Sequence, residues 1–243
     1  MRQNITYTPT KKTNGFTLIE MLTVIGMIVL LASMAVPSFM RAVQLSKIAA
    51  TRARISALAS ACEMYRLDTA GQRYYPGQQY PEMLLGTTDR FPSDTALPEK
   101  PKMTGSEVLA LSLFNAKKGT ATDRAGFRAV TSGAYLNYAD DWFLKKDSTN
   151  LIITDLTNDN KAIVYYPSRV GQTGKDGTVF NAFSYQDNAT LTDPYGGDIT
   201  AFNKFIENPK FTNTPYNEKT FLLMAPGIDR TYFSPDSPRN FGL

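Results

Sequence analysis

The stretch Gly15-Phe16-Thr17-Leu18-Ile19-Glu20 opens an apolar run. From Phe16 to Val36 it reads FTLIEMLTVIGMIVLLASMAV and carries one charge, Glu20. At the helical rise such a run spans about 30 Å, enough to cross the hydrocarbon core of a bilayer. Arg2, Lys11 and Lys12 precede it with no acid among them, and a long polar chain follows. Basic flanks stay on the cytoplasmic side of a span, so residues 1–14 are expected in the cytoplasm and the rest outside. The carboxylate is the costly element. An acid at the centre of a span costs roughly 2.5–3.5 kcal/mol to insert, and less near the interface.

Three readings compete for this segment. A secretory signal has a short apolar core and a small-residue cleavage site. This run is longer, and Pro37-Ser38-Phe39-Met40-Arg41 follows it. A plain membrane anchor fits the length but gives no reason for Glu20. Cleavage after Gly15 supplies one, because it would create a free α-amine on Phe16, one helical turn from Glu20. An ammonium and a carboxylate in a low-dielectric layer neutralise each other, within a chain or between neighbours.

Gly15 followed by Phe16-Thr17-Leu18-Ile19-Glu20 resembles the cleavage and methylation motif of type IV pilins and type II secretion pseudopilins. The resemblance implies a prepilin peptidase that cuts between Gly15 and Phe16 and methylates Phe16. It implies that Glu20 takes the terminal amine of an adjoining subunit during filament assembly. Residues 1–15 would then be a leader, 16–37 the transmembrane and assembly half of a long helix, and 38–70 its amphipathic half. Residues 71–243 would form an extracytoplasmic pilin-like domain. The implied partners are the peptidase, other pilin or pseudopilin subunits, an inner-membrane assembly platform and, before assembly, inner-membrane lipid. The implied location is the bacterial inner membrane, then a periplasmic pseudopilus or a surface pilus.

The 243 residues leave room for the span and one sizeable outer domain. Three of the four net positive charges lie in the expected leader, so the basic balance mostly reports topology and is weak support for nucleic-acid binding. Cys62 is the only cysteine, so no intrachain disulfide forms, and its helical position assigns it to the core. The chain has no histidine, which removes Ser-His-Asp and Cys-His catalysis and His-ligated metals. No residue constellation points to an enzyme.

Pro37 predicts a kink or local break, since proline removes a helical hydrogen bond and clashes with the preceding turn. In filaments of the resembling family the helix melts before such a proline, which maps to about residues 29–37. From Ser38 to Asp68 the chain reads as an amphipathic helix. Leu45, Ile48, Ile55, Leu58, Cys62 and Tyr65 form its apolar stripe, flanked by Arg41, Lys47, Arg52, Arg54 and Arg66. The step from Tyr65 and Asp68 to Tyr75-Pro76 resembles the helix-to-loop turn of major pseudopilins.

Residues 77–150 read as an elaborated loop region containing a short helix, Glu107 to about Ala116, capped by Ser106. Strands are expected at Leu151–Thr154, Ala162–Tyr166, Val179–Tyr185 and Phe221–Ala225. The fold class is therefore α+β, with the long helix packed on a small antiparallel sheet whose other face is left for neighbours or solvent. The C-terminal Gly227-Ile228-Asp229 resembles the turn that closes many pseudopilins and often binds calcium. Here Arg230 follows, and the next acid is Asp236. Two carboxylates make a thin set for an ion that takes six to eight oxygens, so no cofactor is assigned and calcium stays open. Asp155 with Asp159, and Asp193 with Asp198, read as turn residues.

The leading expectation is a structural filament subunit. The alternative is a minor pilin at or near the tip, binding a surface, a sugar or DNA through Tyr74, Tyr75, Tyr80, Tyr135, Tyr138 and Trp142. Glu20 favours a place within the shaft, because a first subunit has no predecessor to pair with.

Overall fold

The computed structural model describes residues 15–68, 74–78, 84–85, 103–114, 135–136, 143–145, 151–155 and 161–242. Residues 1–14 of the expected leader 1–15, most of the expected 77–150 elaboration, and Asp159, Tyr80, Tyr138 and Trp142 lie outside them. Helix α1, Leu18–Asp68, runs through both units into which the chain divides, the first ending at Val43 and the second covering Gln44–Leu243.

In the first unit the chain is exposed throughout from Gly15 to Val43, and the helix is long and apolar enough to cross a membrane. Pro37 lies inside α1 with helix on both sides, so it neither ends nor interrupts the element, and residues 29–37 are helical. The hydroxyl of Ser38 donates back to the Met34 carbonyl at 3.4 Å. That bond spans the turn containing Pro37, where the missing proline N–H weakens the ladder.

The second unit is built on short antiparallel strands, and Leu151–Ile153, Val164–Pro167 and Phe221–Met224 among them carry no charged residue. β1 (Phe143–Lys145) pairs antiparallel with β2 (Leu151–Ile153), and an antiparallel bridge from Thr154 to Ala162 leads into β3 (Val164–Pro167). β3 pairs antiparallel with β6 (Phe221–Met224), Tyr165 opposite Leu223. Side chains alternate across this layer. Ile153, Ile163, Tyr165, Phe221 and Leu223 enter one core with Ile55, Leu58, Ala61 and Cys62 of α1. Ile152, Val164, Tyr166, Leu222 and Met224 enter a second core with Phe180, Phe183, Phe202 and Phe233.

The α+β class holds. The free sheet face does not, because residues from 180–206 and 232–241 cover it. Strands reading VYYP and FLLM have no polar alternate positions, and such runs mark burial on both faces.

Within α1, Ile48, Ile55, Leu58 and Cys62 are buried as the stripe predicts, whereas Leu45 is 54% exposed and Tyr65 only half-buried. The buried stripe starts a turn later than the sequence suggests. Arg54 is buried rather than flanking, its guanidinium donating to the Thr154 carbonyl at 3.0 Å. Burial pushes the Cys62 thiol well above its ordinary value, which suits a packing residue rather than a nucleophile. After the helix, the Tyr75 hydroxyl donates to Glu63 at 2.8 Å and its ring packs on Phe221 at 4.9 Å.

Helix α2 is Gly105–Phe114, and its cap is Thr104 rather than Ser106. The Glu107 amide donates to the Thr104 hydroxyl at 3.3 Å, and the Thr104 amide donates to the Glu107 carboxylate at 2.7 Å. This reciprocal pair is a capping box. Ser106 instead accepts from the Ile153 amide at 3.3 Å, tying α2 to β2. Leu109, Leu113 and Phe114 join the core beneath α1, so part of the elaborated region is structural.

The expected strand Val179–Tyr185 shrinks to β5 (Val179–Phe180), paired with β4 (Lys175–Asp176). Beyond it Ala182, Phe183 and Tyr185 are all buried, a spacing that follows turns instead of a pleat. Two further helices, α3 (Ala189–Thr192) and α4 (Ile199–Ile206), were not expected from sequence. Asp198 caps α4 by accepting from the Ala201 amide at 2.7 Å, and Asp193 accepts from the Tyr185 hydroxyl.

Gly105 offers a test of this packing. A Cβ there would sit 1.8 Å from the Tyr165 carbonyl oxygen and 2.9 Å from Asn188 Nδ2. Asn188 itself donates to that carbonyl at 2.7 Å and accepts from the Ser106 amide at 3.2 Å. Gly105→Ala should therefore cost about 3 kcal/mol through overpacking and a broken buried bond. In thermal melts of the full chain in detergent the midpoint should fall by about 6–12 °C. An unchanged midpoint would refute this close approach.

Candidate functional site

Thr17 starts helix α1: its carbonyl accepts from the Met21 amide at 3.2 Å. Its hydroxyl accepts from the Glu20 amide at 3.3 Å, and its amide donates to Glu20 Oε2 at 2.9 Å. The Thr17 hydroxyl also donates to Oε2, at 2.8 Å. Thr17-Leu18-Ile19-Glu20 is thus a capping box with the same pattern as Thr104-Gly105-Ser106-Glu107. The two differ in setting. Glu107 is 7% exposed inside a core, whereas Glu20 stands on the open surface of an apolar helix.

Glu20 is legible in the sequence as the one acid of the apolar run, whereas Thr17 stands out only through its spacing to that acid. The T-x-x-E spacing before an apolar run was the available signal. Both bonds from Thr17 fall on Oε2, so Oε1 accepts nothing among the described residues.

Other hydroxyls of the run are turned inward along the helix. Thr23 donates to the Glu20 carbonyl at 2.9 Å and Ser33 to the Leu30 carbonyl at 2.7 Å. Such back-bonding removes their donors from an apolar surface. Glu20 is left as the one formal charge between Phe16 and Met40.

Gly15 and Phe16 precede the first helical turn and are exposed, Phe16 by 74%. A Cβ built on Gly15 meets nothing within 4 Å among the described residues. Gly15, Phe16 and Glu20 therefore lie on one open stretch of chain, while Pro37 is five turns further along and takes no part in it.

The C-terminal turn brings the other two sequence candidates together. Asp229 accepts from the Thr231 amide at 3.0 Å and from the Thr231 hydroxyl at 2.6 Å. Asp236 accepts from the Ile228 amide at 2.7 Å and from the Ser234 hydroxyl at 2.6 Å. The same Ser234 hydroxyl lies 3.4 Å from Asp229 Oδ1. Each oxygen of both carboxylates thus already holds a hydrogen from the turn itself. The turn directs N–H and O–H groups at the acids and, among the described residues, brings no third carboxylate to them, a donor set that does not fit calcium.

Burial pushes the Asp236 carboxyl up, but hydrogen bonds from Ser234 and the Ile228 amide outweigh it and hold the group below its ordinary 3.8. It is therefore ionised at neutral pH. Its hydrogen-bonded contribution to stability is present above the unfolded value and is lost as pH falls through the lower folded one.

The aromatic candidates for a binding surface are partly absorbed by packing. Tyr75 is buried, and Tyr135 is half-buried with its ring edge-on to Tyr65 at 5.7 Å. No protein-family model, curated protein or solved structure matches this chain.

Proposed function

We propose that the protein is a structural filament subunit of the type IV pilus or type II secretion pseudopilus kind. On this reading a prepilin peptidase cuts it between Gly15 and Phe16 and methylates Phe16, and it polymerises through the first half of α1. The observation that carries the reading is the exposed apolar run of residues 16–40, whose one charge, Glu20, sits a turn beyond Gly15-Phe16. An apolar surface of this length suits lipid in one state and neighbouring helices in another.

The capping box refines the chemistry. Before assembly Thr17 meets part of the carboxylate's demand from within the same chain, which lowers the cost of keeping it in a membrane. Oε1 is left to accept an ammonium from another chain, and an ionised carboxylate has acceptor sites enough for both. Insertion of the Phe16 amine of an adjoining subunit would then complete the pairing. An ammonium and a carboxylate buried together in apolar surroundings hold register, because either one left alone is penalised.

The test is direct. Sheared filaments from cells making the protein should contain it as an abundant component, and its N-terminus should begin at methylated Phe16. Trace amounts, with another pilin dominating, would reject the shaft reading in favour of a minor subunit. A mature chain that still begins at Met1 would reject both.

A further inference from the structure

We propose that the C-terminal turn is closed by the Ser234 hydroxyl in the position where a divalent cation would otherwise hold Asp229 and Asp236, so that this segment folds without a metal. The inference does not depend on the filament reading.

Residues 226–237 form a loop that leaves β6 and returns beside it. On return, Pro238 accepts from the Ala225 amide at 2.9 Å, and Asn240 pairs with Leu223 through bonds of 2.7 and 3.1 Å. The loop must therefore hold its two ends together for the C-terminus to pair with the sheet. Asp236 packs directly on the Gly227 backbone: a Cβ at Gly227 would lie 2.4 Å from its carboxylate. That contact, with the Ile228 amide bond, fixes Asp236 across the mouth of the loop.

Asp229 is fixed separately by Thr231, and the two acids face each other over one hydroxyl. Two carboxylates this close repel, and a loop can offset that with a cation or with hydrogen-bond donors. This chain uses donors. Those on the carboxylates are the Ile228 and Thr231 amides and the Thr231 and Ser234 hydroxyls, bonds to charged acceptors that are stronger than neutral ones. Ser234 is pinned in turn, its amide donating to Ser237 Oγ at 3.2 Å.

The backbone supports the same geometry. Arg230 and Phe233 take left-handed conformations, φ 66° and 62°. Such conformations are costly for non-glycine residues and persist when the surroundings over-determine them. The Phe233 ring is seated 5.4 Å from Phe202 and 6.0 Å from Phe205, and Lys161 Nζ donates to the Arg230 carbonyl at 3.3 Å. The loop's shape is thus imposed by protein contacts on both sides of the acids.

The experiment compares the full chain in detergent with and without chelator, and with millimolar calcium, by thermal melting and by titration calorimetry with calcium chloride. Wild type should melt at the same temperature in all three buffers and give no saturable heat. Ser234→Ala should lower the midpoint by about 3–8 °C in every buffer. Ser234→Thr, which keeps the hydroxyl, should recover most of that loss. Saturable calcium binding that raises the wild-type midpoint would overturn the proposal. So would Ser234→Ala melting like wild type, or Ser234→Thr melting as low as Ser234→Ala, since the hydroxyl would then not be the closing group.

Discussion

Replacing Gly15 by leucine is expected to leave the leader attached and to abolish filament formation, while membrane insertion and folding are retained. The expectation separates two causes that usually travel together. A side chain added at Gly15 meets nothing within 4 Å among the described residues, and the position is exposed and precedes the first helical turn. A Cβ there disturbs no packing among the described residues, so a large effect is expected to act through a partner that reads this position. A peptidase cleft that accepts the glycine backbone closely has no space for a branched side chain. Without cleavage the Phe16 amine never forms, and Glu20 has nothing to pair with in a neighbour. Mass spectrometry of the purified variant should give the full-length chain, and shearing should release no filament. A variant whose N-terminus still begins at Phe16 would overturn the assignment of the cleavage site.

Glu20→Val carries the second large effect. The substitution removes the charge from the apolar run and so favours insertion, by as much as roughly 2.5–3.5 kcal/mol if the residue sat at the span centre and less near the interface. It also removes the capping box, at about 1 kcal/mol of helix stability. Neither change should displace the protein from the membrane. Assembly is different, because a terminal ammonium buried among apolar helices without its carboxylate costs several kcal/mol. Filament yield should therefore fall by roughly a hundredfold or more, each 1.4 kcal/mol being a factor of ten.

Thr17→Val is the control, since it opens the cap and keeps the acid. It should assemble far better than Glu20→Val. Equal failure of the two variants would assign the defect to helix capping, and normal filaments from Glu20→Val would remove the pairing argument altogether. The buried box at Thr104 and Glu107 shows why this control is needed, because there the same four-residue pattern serves as a cap inside a core.

Local pattern made much of this chain legible. The apolar run, its single acid and its basic flank stand in consecutive residues, and so do the amphipathic stripe of α1 and the helix around Val108. The strands at Leu151, Val164 and Phe221 were readable from their β-branched and aromatic runs. What misled was neighbourhood. Val179 to Tyr185 has the composition of a strand, but Phe180, Phe183 and Tyr185 are drawn into the core through turns. Arg54 looks like a solvated flank until the Thr154 carbonyl, 100 residues away, is brought against it.

The sequence by itself determined that an apolar helix carries one carboxylate near its start, because chain-local spacing and hydropathy suffice for that. Tertiary structure alone decided that the sheet is covered on both faces and that Asp229 and Asp236 meet over Ser234. Those facts depend on contacts between residues far apart in the chain or across a folded loop, where one-dimensional periodicity carries no information. Glu20 falls between the two. Its position was written in the sequence, while its bonds to Thr17 emerged only when the first helical turn closed on Oε2 and left Oε1 without a partner among the described residues.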